Sequence, residues 1–184
     1  MLERYLIEHC SPTLASLKTA SLFTVQYEIH SNLLSQLREW NLLLGKKGVS
    51  LRLVRLTGKT ALIYVYRRHQ LERDLQKPGV AEFLAQYGYE SIDPDYAVER
   101  LSAQLMAGGE FPHEIGLFLG YPLGDVIGFI ENAGQNSKCS GCWKVYCNEC
   151  EAVKAFARFR KCRNIYNRLY SMGLRTVEQL TVAA

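Results

Sequence analysis

Apolar residues recur at helical spacing in several stretches of the chain. Leu37, Trp40 and Leu44 lie three or four positions apart within an apolar set, which predicts an amphipathic helix that ends near Gly45. Comparable patterns and breaks predict further helices at residues 67–77, 80–87, 96–107 and 150–172, with a last turn at 176–180. Between the predicted helices at 96–107 and 150–172, two further helical pieces are predicted, at residues 111–119 and 123–130.

Three stretches have the composition of β-strands. Residues 21–27 are rich in β-prone side chains. Residues 50–56 alternate in part between apolar and polar, residues 61–66 are continuously apolar, and residues 57–59 join them as a short hairpin turn. A continuously apolar strand is typical of the centre of a sheet with both faces covered.

The order of these elements predicts an α+β fold in a single domain that spans residues 1–184. We expect a small mixed β-sheet with one hairpin, flanked by several helices. Residues 78–134 hold only predicted helices and loops, so they could form a helical subregion. A chain of this length can bury a hydrophobic core without the help of disulfides.

Composition narrows the class of protein. With 48% hydrophobic and 22% charged residues, the chain is expected to fold rather than to be disordered. The net charge of +4 is compatible with an anionic ligand and does not require nucleic acid. No targeting segment is visible, and no apolar run reaches the roughly 20 residues that cross a bilayer. We therefore expect a cytoplasmic protein with no membrane or nucleic-acid partner, in which the six cysteines are thiols or ligands.

Four of the cysteines lie close together in the pattern C-x2-C-x4-C-x2-C: Cys139, Cys142, Cys147 and Cys150. Each pair could bind a tetrahedral zinc ion or part of an iron–sulfur cluster. Residues 143–146 have strand chemistry, and an extended segment would separate the inner two cysteines by about 16 Å at roughly 3.3 Å per residue. Sulfurs that share one zinc ion lie about 4 Å apart. Free thiols are therefore favoured, while a shared metal, a disulfide or a metal on one pair remain alternatives.

A second candidate site begins near the amino end. Ser11, Pro12 and Thr13 have the sequence of a helix start, where serine caps free N–H groups and proline suits the first position. A thiol beside such a start, here Cys10, can have a lowered pKa, and the N–H groups could hold an anion. Lys18 would add positive charge. The alternative is a capped helix with a small buried thiol.

His113 and Glu114 follow Pro112 at another predicted helix start. They do not form the zinc-protease motif H-E-x-x-H, because the second histidine is absent. Histidine titrates near neutrality and could act as an acid–base group, although polar residues at a helix start also serve local hydrogen bonding. Glycines recur every fourth residue from Gly116 to Gly128, which favours close packing over approach to a flat cofactor.

The last predicted helix carries a basic stripe of Lys154, Arg158, Lys161 and Arg168. Such a stripe could dock an acidic redox protein, or it could be an ordinary solvated face. The sequence contains no phosphate-binding loop, dinucleotide fingerprint or nucleophile elbow.

Several motifs together resemble the bacterial family catalogued as domain of unknown function 3793. The resemblance covers nearly the whole chain and rests on residues 9–15, 18–20, 61–67, 111–116, 119–122 and 143–146. It implies no defined activity, and it implies a link to anaerobic redox or iron metabolism.

The leading hypothesis is a cytoplasmic protein that binds a small anionic ligand or cofactor, and enzymatic activity stays open. Its pocket would join the segment at residues 9–13 to the segment at residues 113–122. Cys10 and His113 are the candidate catalytic residues. The candidate ligand-binding residues are His9, Ser11, Thr13, Lys18, Arg67, Glu114 and Tyr121. The alternatives are a zinc or iron–sulfur protein built on the four clustered cysteines and an interaction module for an acidic redox partner.

Overall fold

The computed structural model describes residues 2–26 and 32–183. The helices of this part are α1 Leu2–Leu14, α2 Leu33–Gly45, α3 Arg68–Leu75, α4 Val80–Ala85, α5 Pro94–Ala107, α6 Ile115–Phe118, α7 Leu123–Glu131, α8 Glu149–Ser171 and α9 Val177–Leu180. The strands are β1 Ala20–Gln26, β2 Val49–Thr57, β3 Thr60–Arg67, β4 Cys139–Ser140 and β5 Lys144–Val145. This is the predicted α+β class, and none of the helices in these two ranges is long and apolar enough to cross a membrane.

The main sheet has three strands in the order β1-β3-β2. Strand β3 is central, as its continuous apolar run predicts, and the predicted hairpin joins it to β2 through a turn with Gly58 at a positive φ of 56°. The expected mixed sheet is wrong, because both neighbours run antiparallel to β3. The tight hairpin imposes this direction on β2, and α2 returns the chain so that β1 and β2 run the same way on either side.

Two hydrophobic cores lie on the two faces of this sheet. Successive side chains of a strand point to opposite faces, so Ile63 and Val65 join one core while Tyr64 and Tyr66 join the other. The first core also contains apolar residues of α1, α2 and α9. The second contains residues of α3 to α7, so the helices of residues 78–134 share a core with the sheet.

The amino-terminal helix differs from the sequence prediction. Ser11, Pro12 and Thr13 lie in the last turns of α1, which is already helical at Leu2, so the predicted helix start at Ser11 is wrong. The Ser11 hydroxyl donates backwards to the carbonyl of Ile7 instead of capping N–H groups that follow it. The helix extends through this motif because its apolar residues recur at intervals of about one turn and are buried, namely Leu2, Leu6, Cys10 and Leu14.

Other predicted elements are found close to their expected places. Strand β1 covers the predicted strand up to Gln26, and Tyr27 lies outside the described residues. The two helical pieces around residue 121 are α6 and α7. The predicted strand at residues 143–146 is β5, which pairs with β4 in a small antiparallel hairpin, and the closing helix is α8.

Candidate functional site

A cavity of about 530 Å³ lies between the end of α1, the start of β1, the loop before α7, the β4–β5 hairpin and α8. We call it the basic cavity. Its polar lining includes His9, Lys18, Tyr121, Cys142, Arg160 and Arg163. Among the described residues that line it, none is acidic. Phe156 and Phe159 of α8 supply an apolar wall. The cavity therefore combines positive charge with aromatic surface.

The end of α1 positions Lys18. Ser16 has a positive φ of 60°, and the N–H of Lys18 donates to the carbonyl of Pro12 at 3.2 Å, so the chain turns tightly before it enters β1. The ammonium of Lys18 lies 5.3 Å from the ring centroid of Tyr121, which is a cation–π contact. Tyr121 is itself held by its hydroxyl, which donates to the carbonyl of Cys142 at 3.2 Å.

Positive charge in the basic cavity is not neutralised by nearby carboxylates. In the part of the chain that the structure describes, neither Lys18 nor Arg160 nor Arg163 forms an ion pair. Asp74 lies with Lys18 along a neighbouring cleft, but it pairs with Lys77 at 2.6 Å and accepts from Thr19. Burial lowers the pKa of the Lys18 ammonium, and a negative charge on Cys142 would oppose this shift.

Cys10 does not have the activated thiol that the predicted helix start implied. It is fully buried, and burial raises its pKa to about 12. Ser11 and Thr13 are buried as well: the Thr13 hydroxyl pairs with that of Ser21 at 2.9 Å. A lowered pKa is not found at Cys10, because the residue lies inside a helix whose N–H groups are already paired. The alternative of a small buried thiol is the one observed. His9 alone of residues 9, 10, 11 and 13 lines the basic cavity.

Arg67 is also placed differently from its predicted role as a partner for an anion. It is buried, with 2% of its surface exposed. Its Nε donates to the carbonyl of Thr13 at 2.6 Å, and Nη2 donates to those of Leu14 and Val182, both at 2.7 Å. A longer bond of 3.3 Å joins Nη1 to the carbonyl of Lys47. The guanidinium therefore ties the end of α1 to the carboxy-terminal segment, and all three of its nitrogens bond to backbone carbonyls.

His113 and Glu114 lie at other cavities. His113 borders one of about 310 Å³ together with Tyr121 and Asp125, and another of about 510 Å³ together with Glu114. Glu114 is buried and receives a 3.4 Å hydrogen bond from the hydroxyl of Tyr89. The structure thus brings Tyr121 to His9 and Lys18, and it places His113 on the far side of Tyr121.

Asp125 is a residue that sequence reasoning missed. It is buried on α7, and its Oδ1 accepts from the N–H groups of Tyr146 and Cys147, both at 2.8 Å. Its Oδ2 accepts from the indole N–H of Trp143 at 2.8 Å. A Cβ on Gly128 would lie 2.5 Å from Tyr146, so the recurring glycines serve packing, as their spacing favoured. Asp125 and this glycine face together fix the cysteine-containing segment against α7.

The four clustered cysteines face different neighbours. Cys139 lies in β4 opposite Val145, and its pKa is raised by burial and by Glu149. Cys147 packs against α7, and its pKa is raised by burial and by Asp125. Cys150 is in the first turn of α8, whereas Cys142 lines the basic cavity. Strand β5 separates the two pairs, and across residues 2–26 and 32–183 no three His, Cys, Asp or Glu side chains are grouped to hold a metal ion.

The basic stripe of α8 is exposed to solvent, as its sequence pattern suggests. Lys154 pairs with Glu151 one turn earlier at 2.9 Å. Arg160 and Arg163 are also exposed, but they lie on a different part of the helix, next to the buried residues Phe159 and Cys162. Sequence reasoning missed these two arginines, although their position beside the apolar face was visible in the spacing.

Comparisons with known proteins bear on the family and not on the activity. Neither the curated proteins nor the solved structures contain a match to the chain. A family model described as "Protein of unknown function (DUF3793)" matches residues 6–181, and the chain therefore belongs to this family.

Proposed function

We propose that the protein binds a small organic anion in the basic cavity. The observation that carries the proposal is Lys18, a partly buried residue whose ammonium, so far as the described residues extend, has no carboxylate partner. Burying a charge is costly unless it is paired. An anionic ligand would supply the missing charge, and Arg160 and Arg163 would add to the attraction from the opposite wall.

The shape and lining of the basic cavity favour a particular kind of ligand. Its volume of about 530 Å³ falls within the range of about 300–1,000 Å³ that is usual for small-molecule sites. The aromatic rings of Tyr121, Phe156 and Phe159 offer apolar surface beside the cations. We infer a ligand with a phosphate or carboxylate attached to a flat, apolar body.

The proposal keeps three expectations from the sequence. All six cysteines are free thiols, which supports a cytoplasmic location. A link to anaerobic redox or iron metabolism would fit a cavity with a thiol at its edge. The exposed stripe of Lys154, Arg158, Lys161 and Arg168 is a second candidate surface, for an acidic redox protein, and its docking would weaken with added salt.

Calorimetry with matched probes tests the proposal. We expect phenyl phosphate and phenylacetate to bind, and the neutral phenylacetamide to bind at least about tenfold more weakly, since one charge-assisted contact contributes about 1.5–3 kcal/mol. Lys18→Met and Arg163→Met should each weaken the binding of phenyl phosphate. Arg168→Met should not, because Arg168 is on the same helix as Arg163 but outside the cavity. Equal binding of the charged and neutral probes would contradict the proposal.

A further inference from the structure

One thiol opens into the basic cavity. Cys142 lies in the turn of the β4–β5 hairpin, is exposed, and lines the cavity together with Lys18, Arg160 and Arg163. Cys10 and Cys162 are buried. Two hydrogen bonds fix the position of Cys142. Its carbonyl accepts one from the hydroxyl of Tyr121, and the N–H of Gly141 donates one to the carbonyl of Trp143 at 3.0 Å.

The electrostatic surroundings of Cys142 differ from those of its neighbours in the cluster. Cys139 faces Glu149 and Cys147 faces Asp125, and these carboxylates disfavour their thiolates. Cys142 instead shares the wall of the basic cavity with the cations of Lys18, Arg160 and Arg163. Thiolates near positive charge are the reactive form of cysteine, and the same charges attract anionic reagents.

We propose that Cys142 is the reactive thiol of the basic cavity and that it forms mixed disulfides with small anionic disulfides. The inference rests on the proposed function, because the cations that hold an anionic ligand would also hold the anionic disulfide. The partly buried Lys18, on which the proposed function rests, lines the same cavity as this thiol. The attached group would then occupy the cavity and exclude the free ligand.

The chemical step is thiol–disulfide exchange. The Cys142 thiolate attacks one sulfur of the disulfide, a new S–S bond forms to Cys142, and the old S–S bond breaks. The departing sulfur leaves as a thiolate with the electron pair of the broken bond. The Cys142 sulfur is thereby oxidised and the departing sulfur is reduced, and an excess of free thiol reverses the step. No other oxidant is required.

Two disulfide reagents, one dianionic and one neutral, test the inference. The full chain is treated at low salt with 5,5′-dithiobis(2-nitrobenzoate), a dianion, or with neutral 4,4′-dithiodipyridine, and peptide mapping assigns the modified cysteines. We expect Cys142 to react with the dianion before the other exposed cysteines do. Its rate should exceed theirs by about tenfold, and added salt should reduce this difference. Lys18→Gln should lower the dianion rate and leave the neutral rate nearly unchanged. Cys150→Ser is the matched control, and its early labelling should equal that of the wild type.

The outcomes separate this inference from the proposed function. Phenyl phosphate should slow labelling of Cys142, and protein modified there should lose phenyl phosphate binding. Binding of phenyl phosphate to the wild type without preferential labelling of Cys142 would overturn the inference and leave the proposed function standing. Preferential labelling by the dianion with no binding of phenyl phosphate would support the reactive thiol and overturn the proposed function. Labelling of Cys147 or Cys150 as fast as Cys142 would also overturn the inference.

Discussion

Replacing Arg67 with methionine should destabilise the whole fold rather than remove a ligand contact. The guanidinium makes three bonds of 2.6–2.7 Å to the carbonyls of Thr13, Leu14 and Val182, and a longer one to that of Lys47. Hydrogen bonds to charged groups contribute about 1.5–3 kcal/mol each. Removing the buried charge also removes its desolvation cost, which is several kcal/mol. A net loss of about 3–5 kcal/mol in the free energy of unfolding follows.

Urea unfolding followed by circular dichroism measures this loss. With a slope of about 2 kcal/mol per molar urea, the midpoint should fall by roughly 2 M. Arg168→Met is the matched control. Because Arg168 is exposed on α8, the free energy of unfolding of this variant should stay within about 0.5 kcal/mol of the wild-type value.

The result also decides between two roles for Arg67. If it were an anion partner, Arg67→Met would fold normally and lose phenyl phosphate binding. A variant with unchanged midpoint and abolished binding would refute the assignment of Arg67 as a structural tie. A variant that unfolds at much lower urea, but binds phenyl phosphate normally in the absence of denaturant, would support the structural role.

Three further predictions concern other parts of the molecule. Gly128→Ala should lower the free energy of unfolding, measured in urea, by about 1–3 kcal/mol, because the added Cβ would clash with Tyr146. Gly45→Ala, with open space around it, should not lower the free energy of unfolding. The pKa of Cys10 is about 12 in the folded chain against an ordinary value of 9.0, so stability should fall as pH rises above 9.0, and less steeply in Cys10→Ala. Chelators should leave the melting temperature unchanged, since the clustered sulfurs face different neighbours; a lost equivalent of zinc or iron with a lower melting temperature would contradict this.

The central strand was predictable because its signal is local. Every residue from Ala61 to Tyr66 is apolar, and a strand with such a run is stable only when both faces are covered. The structure confirms this, with Ile63 in one core and Tyr64 in the other. The amphipathic helix α2 was predictable for a similar reason, since its apolar residues recur about once per helical turn within a short segment of the sequence.

The end of α1 was not predictable from its local signals. Ser11, Pro12 and Thr13 fit a helix start, yet they lie at a helix end because burial of Leu6 and Leu14 on one face outweighs the capping preference. The consequence for the site is large. A helix start would offer N–H groups to an anion, whereas a helix end offers carbonyls, so any anion must be held by side chains instead.

Part of the basic cavity was accessible to sequence reasoning. His9, Lys18 and Tyr121 were among the predicted ligand residues and do line it. Arg160 and Arg163 were not, because they reach the cavity only through the packing of α8 on α1, which joins segments about 150 residues apart in the chain. No spacing rule within one helix reports a contact of that range, although arginines beside a buried face are a usable signal.

The structure explains why the charge of Lys18 is available to a ligand. The carboxy-terminal end of a helix carries partial negative charge, and a lysine that follows it ordinarily interacts with the last carbonyls. Here Arg67 already donates hydrogen bonds to the carbonyls of Thr13 and Leu14. The Lys18 ammonium lies over the ring of Tyr121, and Lys18 lines the basic cavity. Arg67 thus occupies helix-end carbonyls that could otherwise interact with the charge of Lys18.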